Sequence, residues 1–152
     1  MILEFKIPHG RMSVDLAEFA AGAGVRNTKR LFRLYAQSDP DRKEIGRIRE
    51  YLGELAKEQS AISTQAKISY GEADQNTRIL EQQFKRAAEM GAGVHSDQLE
   101  EWRAVKRGLN ERLKAARAEC KRLKLEESRS RRRAAAYERT RMIMDEILGE
   151  EG

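Results

Sequence analysis

After Pro40 the chain contains no further proline. The residue most hostile to a helix interior is therefore missing from most of the sequence. Within that span apolar residues recur at alternating steps of three and four, the spacing of one helix face. A first series reads Ile45, Ile48, Leu52, Leu55, Gln59, Ile62, Ala66, Ser69, Ala73, Asn76, Leu80, Gln83, Ala87 and Met90. A second reads Leu99, Trp102, Lys106, Leu109, Leu113, Ala116, Cys120, Leu123, Glu127, Ser130, Ala134, Tyr137, Arg141, Met144 and Leu148. Between them lies GAGVHSD, where Gly91 and Gly93 suit a helix end and Ser96 suits the cap of the next helix. Asp97, Glu100 and Glu101 add negative charge at that new start, where the helix dipole favours it. The pattern predicts two long helices, 40–90 and 97–148, with a turn at 91–96.

A turn this short favours an antiparallel hairpin. The facing pairs expected across its seam are Trp102 with Gln83, Leu113 with Ala73, Cys120 with Ala66, Leu123 with Ile62, and Tyr137 with Ile48. Gln59 opposite Glu127 would be a polar layer that sets register at some expense in stability.

Residues 1–39 read differently. MILEFKIP alternates Leu3, Phe5 and Ile7 against Ile2, Glu4 and Lys6, the period of a strand. No second strand is evident nearby. Because one strand cannot satisfy its own backbone, it is expected to pair with a second copy or a target, or to lie on the helices as an arm. Ser13 is the expected cap of a short helix, VDLAEFAAG, ended by Gly22 and Gly24. RNTKRLFRLYAQS follows as a second, with Leu31, Leu34 and Tyr35 on one face. Asp39-Pro40 reads as the cap and first position of the long helix. Ala20 and Gly24 have helix-turn-helix spacing, and Gly24-Val25 with Thr28 is similar to the opening of MerR-type regulators. Arg30 and Arg33 stand where such a motif needs apolar residues, which favours a two-helix packing element over a DNA reader. The fold class expected is all-α: a long antiparallel helical hairpin, coiled-coil-like, with a small N-terminal base of two short helices and a short N-terminal strand or arm.

Charged residues make up 36% of the chain and aromatic ones 6%, which suits a thin seam better than a thick core. Ile68, Ile79, Phe84, Val105 and Leu125 fall off the seam. They are either scattered surface residues or the contact for a further helix, from a second copy or a target.

The net charge of +5 is unevenly placed. The window from Arg103 to Arg141 holds fifteen basic and five acidic residues, more than the chain's whole excess. Such a summed potential attracts polyanions. Lys114, Arg117, Lys121, Lys124 and Arg131 occupy heptad positions b and e, a stripe beside the seam that could follow phosphates. Arg122, Arg129, Arg132 and Arg133 widen it. Glu50, Glu54 and Glu58 on the first long helix are the alternative partners for the arginine run, and a solvated helix face is the plainer reading of the whole stripe.

Cys120 is alone, which excludes an intrachain disulfide and fits a reducing compartment. The apolar opening is too short for a signal peptide, and no stretch is long enough to span a membrane. A cytoplasmic protein without membrane contact is expected. His9 and His95 are isolated, and neither GAGVRN nor GAGVHS completes a phosphate-binding loop after a strand. No metal, cofactor or catalytic set is expected, and so no enzyme. The leading expectation is a non-enzymatic helical binding protein that engages nucleic acid or a nucleoprotein complex. Its character suits a phage or mobile-element accessory protein or an inhibitor of a host nuclease complex, of the anti-CRISPR kind, although no motif carries that. The alternative is a structural or adaptor coiled coil that forms a homo-oligomer or binds a helical protein partner.

Overall fold

The computed structural model describes residues 1–149. The chain opens with a β-hairpin. β1 (Ile2–Ile7) and β2 (Gly10–Asp15) pair antiparallel, with Ile2 opposite Asp15 and Ile7 opposite Gly10. Only Pro8 and His9 separate them. Gly10 has φ 150°, a conformation that a side chain would strain, so glycine is required where β2 begins. This corrects the expectation of an unpaired N-terminal strand: the partner lies in the same chain. Pro8-His9 lacks the Asn-Gly or Asp-Gly signature of tight hairpins, and β2 has only Met12 and Val14 to mark its inner face.

Ser13 lies inside β2 rather than capping a helix. Asp15 is the cap of α1 (Leu16–Gly22), with Oδ1 accepting from the Ala17 N–H at 3.1 Å. α2 (Val25–Gln37) follows after two residues. Asp39 then takes φ 55°, left-handed backbone that aspartate tolerates better than most residues. The cap of the next helix moves to Asp41, whose Oδ1 accepts from the Glu44 N–H at 2.8 Å. α3 runs from Arg42 to Glu89, a 3-10 turn covers Met90–Gly93, and α4 runs from Leu99 to Leu148. Ser96 sits in a turn ahead of α4, and the Gln98 carbonyl accepts the Trp102 N–H at 3.0 Å.

The chain divides into two compact units, one formed by Met1–Ile62 with the chain from Arg129 onward, the other by Ser63–Ser128. The first unit holds a core drawn from five elements. Leu3 and Phe5 of β1, Leu16 and Ala20 of α1, and Leu31, Phe32 and Tyr35 of α2 meet Ile48, Leu52 and Ala56 of α3 and Tyr137, Ile143, Met144 and Leu148 of α4. The Phe5 and Tyr35 rings pack edge to face with centroids 5.4 Å apart. Buried hydroxyls turn back on their own helices: Thr28 donates to the Gly24 carbonyl at 2.9 Å and Thr140 to the Ala136 carbonyl at 2.8 Å. Arg49 on α3 and Asp145 on α4 pair at 2.6 Å at the rim. α4 buries Ala136, Thr140 and Ile143 in addition to its seam residues here.

The second unit is the thinner seam. Leu80 of α3 clusters with Leu113 and Ala116 of α4, and Leu109 packs beside them. Thr77 Oγ1 lies 3.3 Å from Cys120 Sγ. The antiparallel arrangement stands, but its register differs from expectation. Cys120 meets Thr77 rather than Ala66, Leu113 clusters with Leu80 rather than Ala73, and Trp102 reaches Ala87 rather than Gln83. Starting α4 at Leu99 instead of 97 moves the reversal in the observed direction. Part of the α3 stripe also slips by one residue: Asn76 and Gln83 are exposed, while Thr77 is buried and Phe84 half-buried, whereas Ala66, Leu80 and Ala87 keep their inward places. A strict seven-residue repeat falls about 20° behind a straight helix per heptad, so a stripe read as heptads drifts off its face.

Two outcomes test this packing. Thr77→Cys should form an intrachain disulfide with the native Cys120 on oxidation, seen as a faster band without reductant. Cysteines at Ala73 and Leu113, with Cys120 replaced by Ser, should not. In the first unit, Phe32 is fully enclosed, and Phe32→Ala should destabilise by about 3–5 kcal/mol in denaturant unfolding. Tyr35 Oη is buried with no hydrogen-bond partner among the described residues, and burial first, then the nearby Glu44, pushes the phenol up. Tyr35→Phe should therefore match or exceed the parent's stability; a loss above about 1 kcal/mol would mean that the hydroxyl is bonded in solution.

Candidate nucleic-acid interface

Within the second unit, α4 carries Arg103, Arg107, Lys114, Arg117, Lys121 and Lys124. Their steps are combinations of three and four, with Asn110 filling the one gap, so they follow a single edge of the helix. The edge extends about 30 Å at 1.5 Å per residue. The buried residues Leu113, Ala116 and Leu123 sit immediately beside it. The same periodicity that turns the apolar residues inward turns this row outward, and all six bases are exposed.

The bases differ in what they touch. Arg117 pairs with Glu81 of α3 at 3.3 Å. Arg122 sits to one side, held by Glu119 at 2.6 Å and Glu126 at 3.0 Å on its own helix. The Arg122 guanidinium holds the Glu119 carboxyl below its usual range, and Glu119 in turn raises the guanidinium. Arg122 is thus locally neutralised and differs from the rest of the expected set. Arg103, Arg107, Lys114, Lys121 and Lys124 make no ion pair among the described residues.

The arginine run belongs to the other unit. Arg129, Arg131, Arg132 and Arg133 are all exposed, while Ser130 between them is buried and Ala134 half-buried. The charge therefore occupies the outer face of a packed helix. Glu50, Glu54 and Glu58 are exposed too, and none of them pairs with Arg129, Arg132 or Arg133.

Near the start of α4 the basic edge adjoins a cleft of about 520 Å³. Phe84, Trp102, Lys106, Asn110 and the two arginines Arg103 and Arg107 line it, with Glu100 at one side. Trp102 Nε1 donates to the Ala87 carbonyl at 2.7 Å, fixing the indole to α3. The ring edge occupies the space beside Gly91, where a Cβ would lie 2.5 Å from Cζ2. Lys106 Nζ stands 5.0 Å from the Trp102 ring centre and 5.9 Å from that of Phe84, close enough for cation–π attraction to both. Sequence patterning treats Trp102 and Lys106 as seam residues and Phe84 as an outlier. The one-residue slip of the α3 stripe brings the three together. The pairs Trp102/Lys106 and Arg103/Arg107, each four apart, are the only local sign of it.

Among the described residues no group of three or more His, Cys, Asp or Glu could hold a metal ion, and no helix is long and apolar enough to cross a membrane. No protein-family model, curated protein or solved structure matches the chain.

The fit of Trp102 against Gly91 has a direct test. Gly91→Ala should force the indole out and break its bond to Ala87. As the chain has one tryptophan, its emission should shift to the red and become more open to acrylamide quenching. Unchanged emission would mean that the turn, not the ring, yields.

Proposed function

We propose that this chain is a non-enzymatic helical protein that binds nucleic acid, or a nucleoprotein complex, through the basic face of α4. The observation that carries this reading is the edge from Arg103 to Lys124, where only Arg117 has an acidic partner among the described residues. An exposed row of bases without counterions attracts a polyanion, and binding releases the ions condensed on it. The row contacts backbone charge and implies no base preference. Arg129, Arg131, Arg132 and Arg133 offer a second basic surface in the other unit. Such a binder fits an accessory role in a phage or mobile element, including inhibition of a host nuclease complex.

A protein-binding role is the second reading, and four side chains favour it. Ile68 and Ile79 are each 54% exposed, Val105 59% and Leu125 61%, all in the second unit. A homo-oligomer or a helical partner would cover them. With the hairpin strand paired inside the chain, the argument for self-association passes to such exposed apolar residues. A monomer in sedimentation at tens of micromolar would leave an external partner.

Salt separates the two readings. Changing Lys114, Arg117, Lys121 and Lys124 together to Gln should leave the melting temperature nearly unchanged, since the one exposed ion pair lost contributes about 0–1 kcal/mol. Affinity for nucleic acid, followed by anisotropy, should fall. The slope of log affinity against log salt should flatten by about 0.7–0.9 per lost phosphate contact. Unaltered affinity and slope would remove α4's edge as the binding surface.

A further inference from the structure

The basic edge by itself suits any polyanion. The cleft where it begins is more selective, because it combines three cations with two aromatic rings. We infer that the cleft receives an unpaired base together with its phosphate, so that the preferred ligand is single-stranded nucleic acid. This inference rests on the nucleic-acid reading of α4 and narrows it.

The chemistry divides between the two walls. Arg103 and Arg107 lie one turn apart on α4, make no ion pair among the described residues, and begin the exposed row that continues through Lys114. They are the phosphate contacts. Phe84 from α3 and Trp102 from α4 offer the stacking surface, and every base has a face to stack whatever its sequence. Lys106 stands over both rings in the free protein. An entering base takes that place, and the flexible lysine stem carries the ammonium outward to a phosphate. The cation thus changes one favourable partner for another. Asn110 can meet either a donor or an acceptor on a base edge. Glu100 is the one carboxylate in the lining, and three bases outweigh it. A duplex keeps its bases stacked and paired, so it could use the row but not the rings. A protein with an acidic surface would likewise use the row and leave the aromatic wall unfilled.

The test uses the full chain with three probes: oligothymidylate, a blunt duplex of matched length, and heparin, a polyanion without bases. Oligothymidylate should quench the single tryptophan on binding and should bind more tightly than the duplex. Heparin should bind without quenching. Phe84→Leu should weaken oligothymidylate roughly 5- to 160-fold, the effect of losing one stacked base, and leave heparin affinity unchanged. Because Phe84 also packs against Lys106, a circular-dichroism melt matching the parent is required, and Arg103→Gln with Arg107→Gln serves as a second variant that leaves both rings alone. That variant should weaken oligothymidylate and duplex alike, since both use the row, while tighter binding of oligothymidylate and quenching of the tryptophan persist. Equal affinity for single strand and duplex, no quenching, and a neutral Phe84→Leu would overturn the cleft while leaving the polyanion reading intact. Failure of all three probes to bind at low salt would overturn both.

Discussion

The enclosure of α4's last turns by four other elements is the constraint on which the first unit depends. Two helices packed along one stripe each bury little apolar surface. Here Met144, Leu52, Ile48, Phe32 and Leu16 are all essentially without solvent contact, and each such side chain contributes about 1.5–3 kcal/mol on leaving water. The β-hairpin and the two short helices make that possible by bringing Leu3, Phe5, Leu16, Phe32 and Tyr35 into one core with Ile143 and Met144 of α4. Three small structural choices put the hairpin in place: glycine at position 10, Asp15 as both the last residue of β2 and the cap of α1, and a two-residue turn.

The second unit has no such cover. Its seam relies on a short apolar cluster around Leu80 and Leu113 and on polar contacts at defined levels. Thr77 with Cys120 and Trp102 with the Ala87 carbonyl each connect the two helices. The Trp102 bond bears on register, because a slipped pairing would leave its N–H without that acceptor, whereas the Thr77 hydroxyl also donates to the Ala73 carbonyl of its own helix at 2.9 Å.

Charge and packing are separated around α4. Residues on its inner stripe are buried while the bases one position away are exposed, so the fold asks little of those bases. Exposed ion pairs such as Arg117 with Glu81 add little stability, and most of the row lacks even that. A surface that folding does not require is free to serve binding. The fifteen basic residues between Arg103 and Arg141 are thereby compatible with a well-packed helix, since Ser130, Ala134, Ala136 and Tyr137 turn inward and Arg129, Arg132 and Arg133 turn outward.

The approximate extents of α3 and α4, the position of the break between them and much of the inward stripe of α4 were legible in the sequence. Helix periodicity is a local property, written into neighbours three and four apart, and the glycines at 91 and 93 interrupt it visibly. The inward-facing residues of β1 were legible for the same reason. What tertiary structure decided depends on distant residues. The partner of β1 needed Gly10 in a special backbone conformation and a core to hold Met12 and Val14. The interhelix register needed the true start of α4, which a cap motif at Ser96 misplaces. The cleft needed a one-residue drift of the α3 stripe to bring Phe84 beside Trp102 and Lys106. A pattern along one helix specifies which face is apolar, whereas only the packed partner determines which residues on that face meet.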